Sequence, residues 1–316
     1  MGCYYLEHPV LNPISIRTQY VNRVTNILVI KRDHLMELET TVLIDGLVFP
    51  ESPRWHNGKL WFSDMHAYRV INVDLNGNTE TVVEVPGQPS GLGWLPNGRL
   101  LIASMTDRRL LRLDPAGLSE VADLSKLASF HCNDMVVDQE GRAYVGNFGF
   151  DLIDKQPFAP AEIVLVTPEG DARVVADGMA FPNGTVITPD GRTLIVGETI
   201  GQRLTAFNIE HDGSLTGRRT WAELKDATPD GICLDAEGAI WVASPISADV
   251  LRVREGGEVT HRIKVSTQAF ACMLGGNDRR TLFVCTAKTM NPDEARARAS
   301  GRIETVRVEV PGAGFP

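Results

Sequence analysis

Apolar and polar positions alternate in short runs along this chain, and one arrangement of those runs keeps returning. The segments "ESPRWHNGKLWFSD" (51–64), "SGLGWLPNGRLLIAS" (90–104), "NDMVVDQEGRAYVGN" (133–147), "NGTVITPDGRTLIVG" (183–197), "DGICLDAEGAIWVAS" (230–244) and "ACMLGGNDRRTLFVC" (271–285) share a plan. Each joins a β-prone run to a polar turn and then to a second run of β-branched or aromatic residues, which reads as strand, turn, strand. The turn glycines at 58, 98, 141, 191 and 238 lie 40, 43, 50 and 47 positions apart, and the sixth segment carries Asn277-Asp278-Arg279 instead. Further strands are predicted between the copies, for example "RVINVD" and "TETVVEV" after the first and "EIVLVT" and "ARVVAD" after the third. Repeating units of this length with four strands each describe blades of a β-propeller. The expected fold is therefore all-β, a six-bladed propeller with four antiparallel strands per blade. The last copy supplies only three strands, ending in "RIETVRVEV" at 302–310, while "TTVLID" at 40–45 stands unpaired. Joining them completes the sixth blade and removes the open sheet edges. The Gly-His and Trp-Asp signatures of a WD-repeat propeller are missing.

The first strand of a propeller blade lines the central channel, so equivalent residues form a ring. Asn183 opens such a strand, where an apolar or β-branched residue is the ordinary choice. Counting eight back from each turn glycine, or seven in the shorter first copy, the ring reads Glu51, Ser90, Asn133, Asn183, Asp230 and, by alignment, Ala271. Carboxylates brought together repel, whereas a divalent ion stabilises both and takes carboxamide oxygens as further ligands. One divalent metal ion is expected there, held by Glu51, Asn133, Asn183 and Asp230. The all-oxygen set favours Ca²⁺, with Zn²⁺, Mn²⁺ or Mg²⁺ able to use the same ligands.

Composition narrows the classes. The 316 residues are 43% hydrophobic and 22% charged, with a formal net charge of −9. This suits a globular chain without the basic stripe that nucleic-acid binding needs; the basic run "EARARAS" near residue 297 reads as a solvated loop. Five cysteines without a CxxC pair point to a reducing compartment, and a cytoplasmic location is expected. No apolar run approaches the ~20 residues of a membrane span, the longest near the start being "ILVI" at 27–30. Residues 1–39, polar and unpatterned, read as a loosely attached extension or an over-long start, and 40–316 as the catalytic propeller.

With "FPESPRW", "CNDMVVDQEGRAYVG", "FPNGTVITPDGRTLIV" and "PDGICLDAEGAIWVA", the chain resembles the senescence marker protein/gluconolactonase family over roughly residues 41–310. The resemblance implies a six-bladed propeller that hydrolyses lactones with one divalent cation. It also implies that Glu51, Asn183 and Asp230 are direct metal ligands, and that Asn133 contacts substrate or is a fourth ligand. Asp230 is then the candidate proton acceptor for an activated water.

Departures from the family pattern bear on substrate. An arginine that binds hydroxyl or carboxylate groups in many sugar lactonases is His131 here, which weakens the case for a sugar acid. The long segment 146–163, with Phe148 and Phe150, is a candidate lid. His131, Ser90, Phe148 and Phe150 join Asn133 as candidate substrate contacts. His56 is expected in a solvated turn, His66 just after a strand, and Glu198 at a blade edge or loop. A GxSxG elbow is absent. The expected function is a metal-dependent lactonase. The alternatives are an aryl-ester or phosphotriester hydrolase, a strictosidine-synthase-like condensing enzyme, or a non-catalytic calcium-binding propeller. No partner beyond a small lactone or ester is expected, and the oligomeric state is left open.

Overall fold

A computed structural model describes residues 38–314. The expected N-terminal extension falls outside the described residues, apart from its last two positions, and so does Cys3.

The described chain forms six four-stranded antiparallel sheets. Their first strands are Pro50–His56, Pro89–Trp94, Cys132–Val137, Pro182–Ile187, Ile232–Leu234 and Gln268–Gly275. Five blades are built from consecutive strands, and the sixth is closed by Thr41–Leu47, which pairs with Gly301–Arg307. Thr41 lies opposite Thr305, 264 positions away, with their hydroxyls 3.1 Å apart. That seam joins the start of the described chain to its end.

Alternation produces the core. In the second blade Leu101, Ala103 and Leu110 face Met135, Val137, Val145 and Val164 of the third, and similar apolar layers separate other blades. Cys132, Cys233, Cys272 and Cys285 are free and buried within this packing. Burial pushes the Cys132 thiol up to about 12, so it is not a neutral-pH nucleophile.

Convergence of the inner strands demands glycine. A Cβ on Gly184 would lie 2.3 Å from the Ile232 amide nitrogen, and one on Gly231 would lie 2.4 Å from the Ala271 Cβ. Neighbouring blades thus touch backbone to backbone beside the ring position.

Two sequence expectations change here. Glu198 is not an edge or loop residue but the last residue of Thr193–Glu198, fully buried. Its carboxylate accepts hydrogen bonds from the Ala180 amide, Thr205 and Arg203, and so pins the approach to the fourth inner strand. Asp64 does the same in the first blade for the amides of Val48 and Phe49, with Arg69 as its cation. His56 ends a strand rather than sitting in a solvated turn, and stacks on Trp94 with ring centroids 4.0 Å apart. Among the described residues no helix is long and apolar enough to cross a membrane.

Candidate active site in the propeller channel

The ring read from the sequence opens onto one cavity of about 480 Å³. Glu51, Asn133, Asn183 and Asp230 all line it, together with His131 and Phe148. Local backbone aims the polar side chains inward. The pairing register slips between Glu51 and Arg54, Pro89 and Leu92, Cys132 and Met135, and Pro182 and Thr185, which places a bulge at the ring position of four blades. Such a bulge turns a side chain out of the regular pleat.

The two carboxamides are oriented by their neighbours. Asn133 Nδ2 donates to the Pro182 carbonyl at 3.1 Å. Asn183 Nδ2 donates to Thr199 Oγ1 at 3.2 Å, and that hydroxyl spends its own proton on the Pro229 carbonyl at 2.7 Å. Both amide nitrogens are thereby engaged, which leaves the carbonyl oxygens available as ligands.

The carboxylates are in an unfavourable state by themselves. Burial pushes the Glu51 carboxyl up to about 8, with the Asp134 charge adding to the rise; the Ser52 amide and Arg54 oppose it. Asp230 is raised well above the usual carboxylate range, first by burial and then by the charges of Glu51 and Asp134. Arg54 is the cation felt by this group, and it is already engaged. Its Nη2 reaches Asp134 Oδ1 at 2.5 Å and the Met135 carbonyl at 2.7 Å, and its Nε reaches the Leu92 carbonyl at 3.0 Å. Glu51, Asp134 and Asp230 when ionised set three negative charges against the one positive charge of Arg54. The excess of two matches a divalent cation. The donor set therefore fits such an ion: two buried carboxylates and two freed amide oxygens at one level. Among the described residues no group of three or more His, Cys, Asp or Glu is placed to hold a metal, so any ligand set here depends on the carboxamides.

Two expected contacts fall elsewhere. Ser90 keeps its ring register, but it is not part of the cavity wall; its Oγ is buried without a hydrogen-bond partner among the described residues. Phe150 is not part of the cavity wall and packs edge-on against Phe181 and Phe158. Phe148 stays on the wall, stacked on Phe181 with centroids 4.7 Å apart. The long segment does border the cavity, through Asp151 to Asp154.

Of a second tier the sequence reading found only His131. Two residues before five ring members stand Phe49, Gln88, His131, Phe181 and Thr228, and all five line the cavity. The signal was present as a constant spacing, two positions before each ring residue, although all five precede their inner strands and Gln88 and Phe181 stand at φ 64. His66 was set aside, yet it lines the cavity too, stacked on Phe49 with centroids 4.8 Å apart. Burial lowers the affinity of both His66 and His131 for a proton, against the Met290 carbonyl in the first and Asp151 in the second. The Arg54–Asp134 pair was also missed; an arginine and an aspartate beside ring residues are its only trace in the sequence.

Fold and site together define a class: a six-bladed propeller whose channel carries a cluster of oxygen donors beneath an apolar cavity. A family model described as "SMP-30/Gluconolactonase/LRE-like region" matches residues 49–288, and the chain belongs to that family. It is 26% identical over 280 residues to a 6-deoxy-6-sulfogluconolactonase of Pseudomonas putida, covering 85% of this chain and 94% of the relative. It is also 26% identical over 228 residues to regucalcin of Danio rerio, covering 70% and 74%. A crystal structure of a calcium-binding protein, regucalcin, from Agrobacterium tumefaciens superposes with a TM-score of 0.75 at 24% identity, covering 89% of this chain and 98% of that one. This last likeness bears on the fold.

Proposed function

We propose that the protein is a divalent-metal-dependent lactonase. The observation that carries this reading is the pairing of two buried, mutually repelling carboxylates with two oriented carboxamides at the head of an apolar cavity. Membership of a family with relatives named lactonases supports hydrolysis of a cyclic ester, and the calcium-binding name of a structural neighbour supports a divalent ion. Glu51, Asn183 and Asp230 would hold the ion, with Asn133 as a fourth ligand or a substrate contact. The ion, when bound, would polarise the carbonyl and lower the pKa of water.

The chain's own groups supply the remaining steps. Asp230 accepts the proton of the attacking water as the new bond to the carbonyl carbon forms. It returns that proton to the ring oxygen as the acyl C–O bond breaks, so that a hydroxy acid leaves. Asn133 and His131 orient the ester, and the phenylalanines around them exclude bulk water.

The test is to strip the protein with a chelator, restore Ca²⁺, Zn²⁺, Mn²⁺ or Mg²⁺ singly, and follow acid release from a lactone panel. Turnover is expected only with an ion present. Asp230→Ala is expected to lower kcat by about a thousandfold while the fold persists, as monitored by circular dichroism. Failure of every ion to give turnover would leave a ligand-binding or calcium-binding propeller instead. Aryl esters and phosphotriesters belong in the same panel, since the aromatic wall suits an aryl ester as well.

A further inference from the structure

The walls of the cavity differ sharply from its floor. No lysine or arginine lines it among the described residues. Its inner wall is aromatic on two sides: Phe148 is stacked on Phe181, and Phe49 meets Phe270 edge-on with centroids 4.7 Å apart. Met65 and Met105, each the first residue after a second strand, occupy equivalent places in the first two blades. The apolar surface continues out to solvent. Ile153, Ile200, Ile246 and Met290 line the mouth while remaining 45%, 47%, 79% and 40% exposed, and they come from four successive blades. Four exposed large apolar side chains around one cavity mouth favour an apolar group passing between them. Asp151 and Asp154 add negative charge at the same mouth.

From this distribution we infer that the substrate is an uncharged lactone bearing an apolar alkyl or aryl substituent, and that polyhydroxylated or anionic sugar lactones are disfavoured. The inference rests on the lactonase reading and specifies its substrate class. The ester group sits at the Glu51–Asp230 end, where the polar atoms are. The substituent lies between the phenylalanine pairs and leaves along the isoleucine rim. A sugar lactone would bring several hydroxyls to a wall with few free partners. Thr199 has already spent its proton on Pro229 and the amide nitrogens of Asn133 and Asn183 each donate once already, which leaves Gln88, His131, the Thr228 hydroxyl and His66 Nδ1 on a wall otherwise made largely of phenylalanine, methionine and isoleucine. Each hydroxyl buried without a partner weakens binding. A sulfonate, phosphate or carboxylate on the substituent would meet Asp151 and Asp154 at the mouth and no lining lysine or arginine.

Two measurements test this. With the activating ion bound, kcat/KM is compared for δ-decalactone, unsubstituted δ-valerolactone and glucono-δ-lactone, which share a ring and differ in substituent. δ-Decalactone is expected to exceed glucono-δ-lactone by about a hundredfold, the effect of several unmatched hydroxyls. In Ile246→Glu the ratio of kcat/KM for δ-decalactone over δ-valerolactone is expected to fall about tenfold, at an exposed position that does not threaten folding. Calorimetric binding of the corresponding lactams, which resist hydrolysis, gives a readout independent of turnover, with the pentyl lactam expected to bind about a hundredfold tighter than the gluconic one. Equal or better binding and turnover of the sugar compounds would overturn the inference. If the pentyl lactam binds preferentially but no lactone is opened with any ion, the catalytic reading has failed and the apolar specificity stands.

Discussion

At the scale of single residues, the channel stores an electrostatic conflict. Glu51 and Asp230 are held together in a buried place, and Arg54, the cation beside Glu51, is committed to Asp134. The conflict predicts a pH dependence of stability in the metal-free protein. Because folding raises the Glu51 carboxyl from an ordinary 4.5 to about 8, the folded chain binds a proton in that interval that the unfolded chain has released. Stability is thus fully present below about pH 4.5 and is lost as pH rises toward 8. At about 1.4 kcal/mol per pKa unit the loss is of the order of a few kcal/mol. Thermal melts from pH 5 to 8 should show a falling midpoint, which Glu51→Gln makes shallower while Asp230 keeps part of the slope, and which a saturating divalent ion restores. A midpoint rising over that range would mean that these carboxyls are not in conflict.

Single elements are limited by how closely their backbones approach. Glycines that look alike in the sequence have different tasks. Gly191, at φ 69 in a turn where an added Cβ would meet nothing within 4 Å, is needed for its backbone angle. Gly184 is needed for space, since a Cβ there would meet backbone atoms of Asp230 and Ile232. Gly191→Ala should cost about 1 kcal/mol and leave kcat unchanged. Gly184→Ala should cost about 2–3 kcal/mol, as overpacking does, and lower kcat at least tenfold because the displaced backbone carries Asp230. Urea titration and steady-state kinetics on the two variants would separate these effects; equal losses of activity would contradict the assignment.

The whole molecule depends on one seam. Thr41–Leu47 against Gly301–Arg307 is where a linear array of sheets becomes a ring, and the positions of all ring residues follow from that closure. A disulfide across Thr41→Cys and Thr305→Cys would close a loop of more than 260 residues, for which chain entropy sets an upper limit of about 5–6 kcal/mol. The double variant should oxidise spontaneously and unfold at higher denaturant than its reduced form. Persistent free thiols at both positions would mean that the seam is not formed as described.

Blade number, strand order, the closing strand and the register that brings Glu51, Asn133, Asn183 and Asp230 to one cavity were legible in the sequence because each rests on local rules: a two-residue side-chain period, glycine turns and a fixed count between them. The fixed count, though not the strand period, also extends to the second tier at Phe49, Gln88, His131, Phe181 and Thr228, which precede the inner strands. These rules could not show that Phe150 stands off the cavity wall while Phe148 lies on it, that Glu198 is a buried anchor, or that Arg54 crosses to an Asp134 that stands 80 positions further along. Nor could they show that, among the described residues, no lysine or arginine lines the cavity. Such facts depend on how separate strands and loops meet in space, and only closure of the six blades around one axis sets those distances.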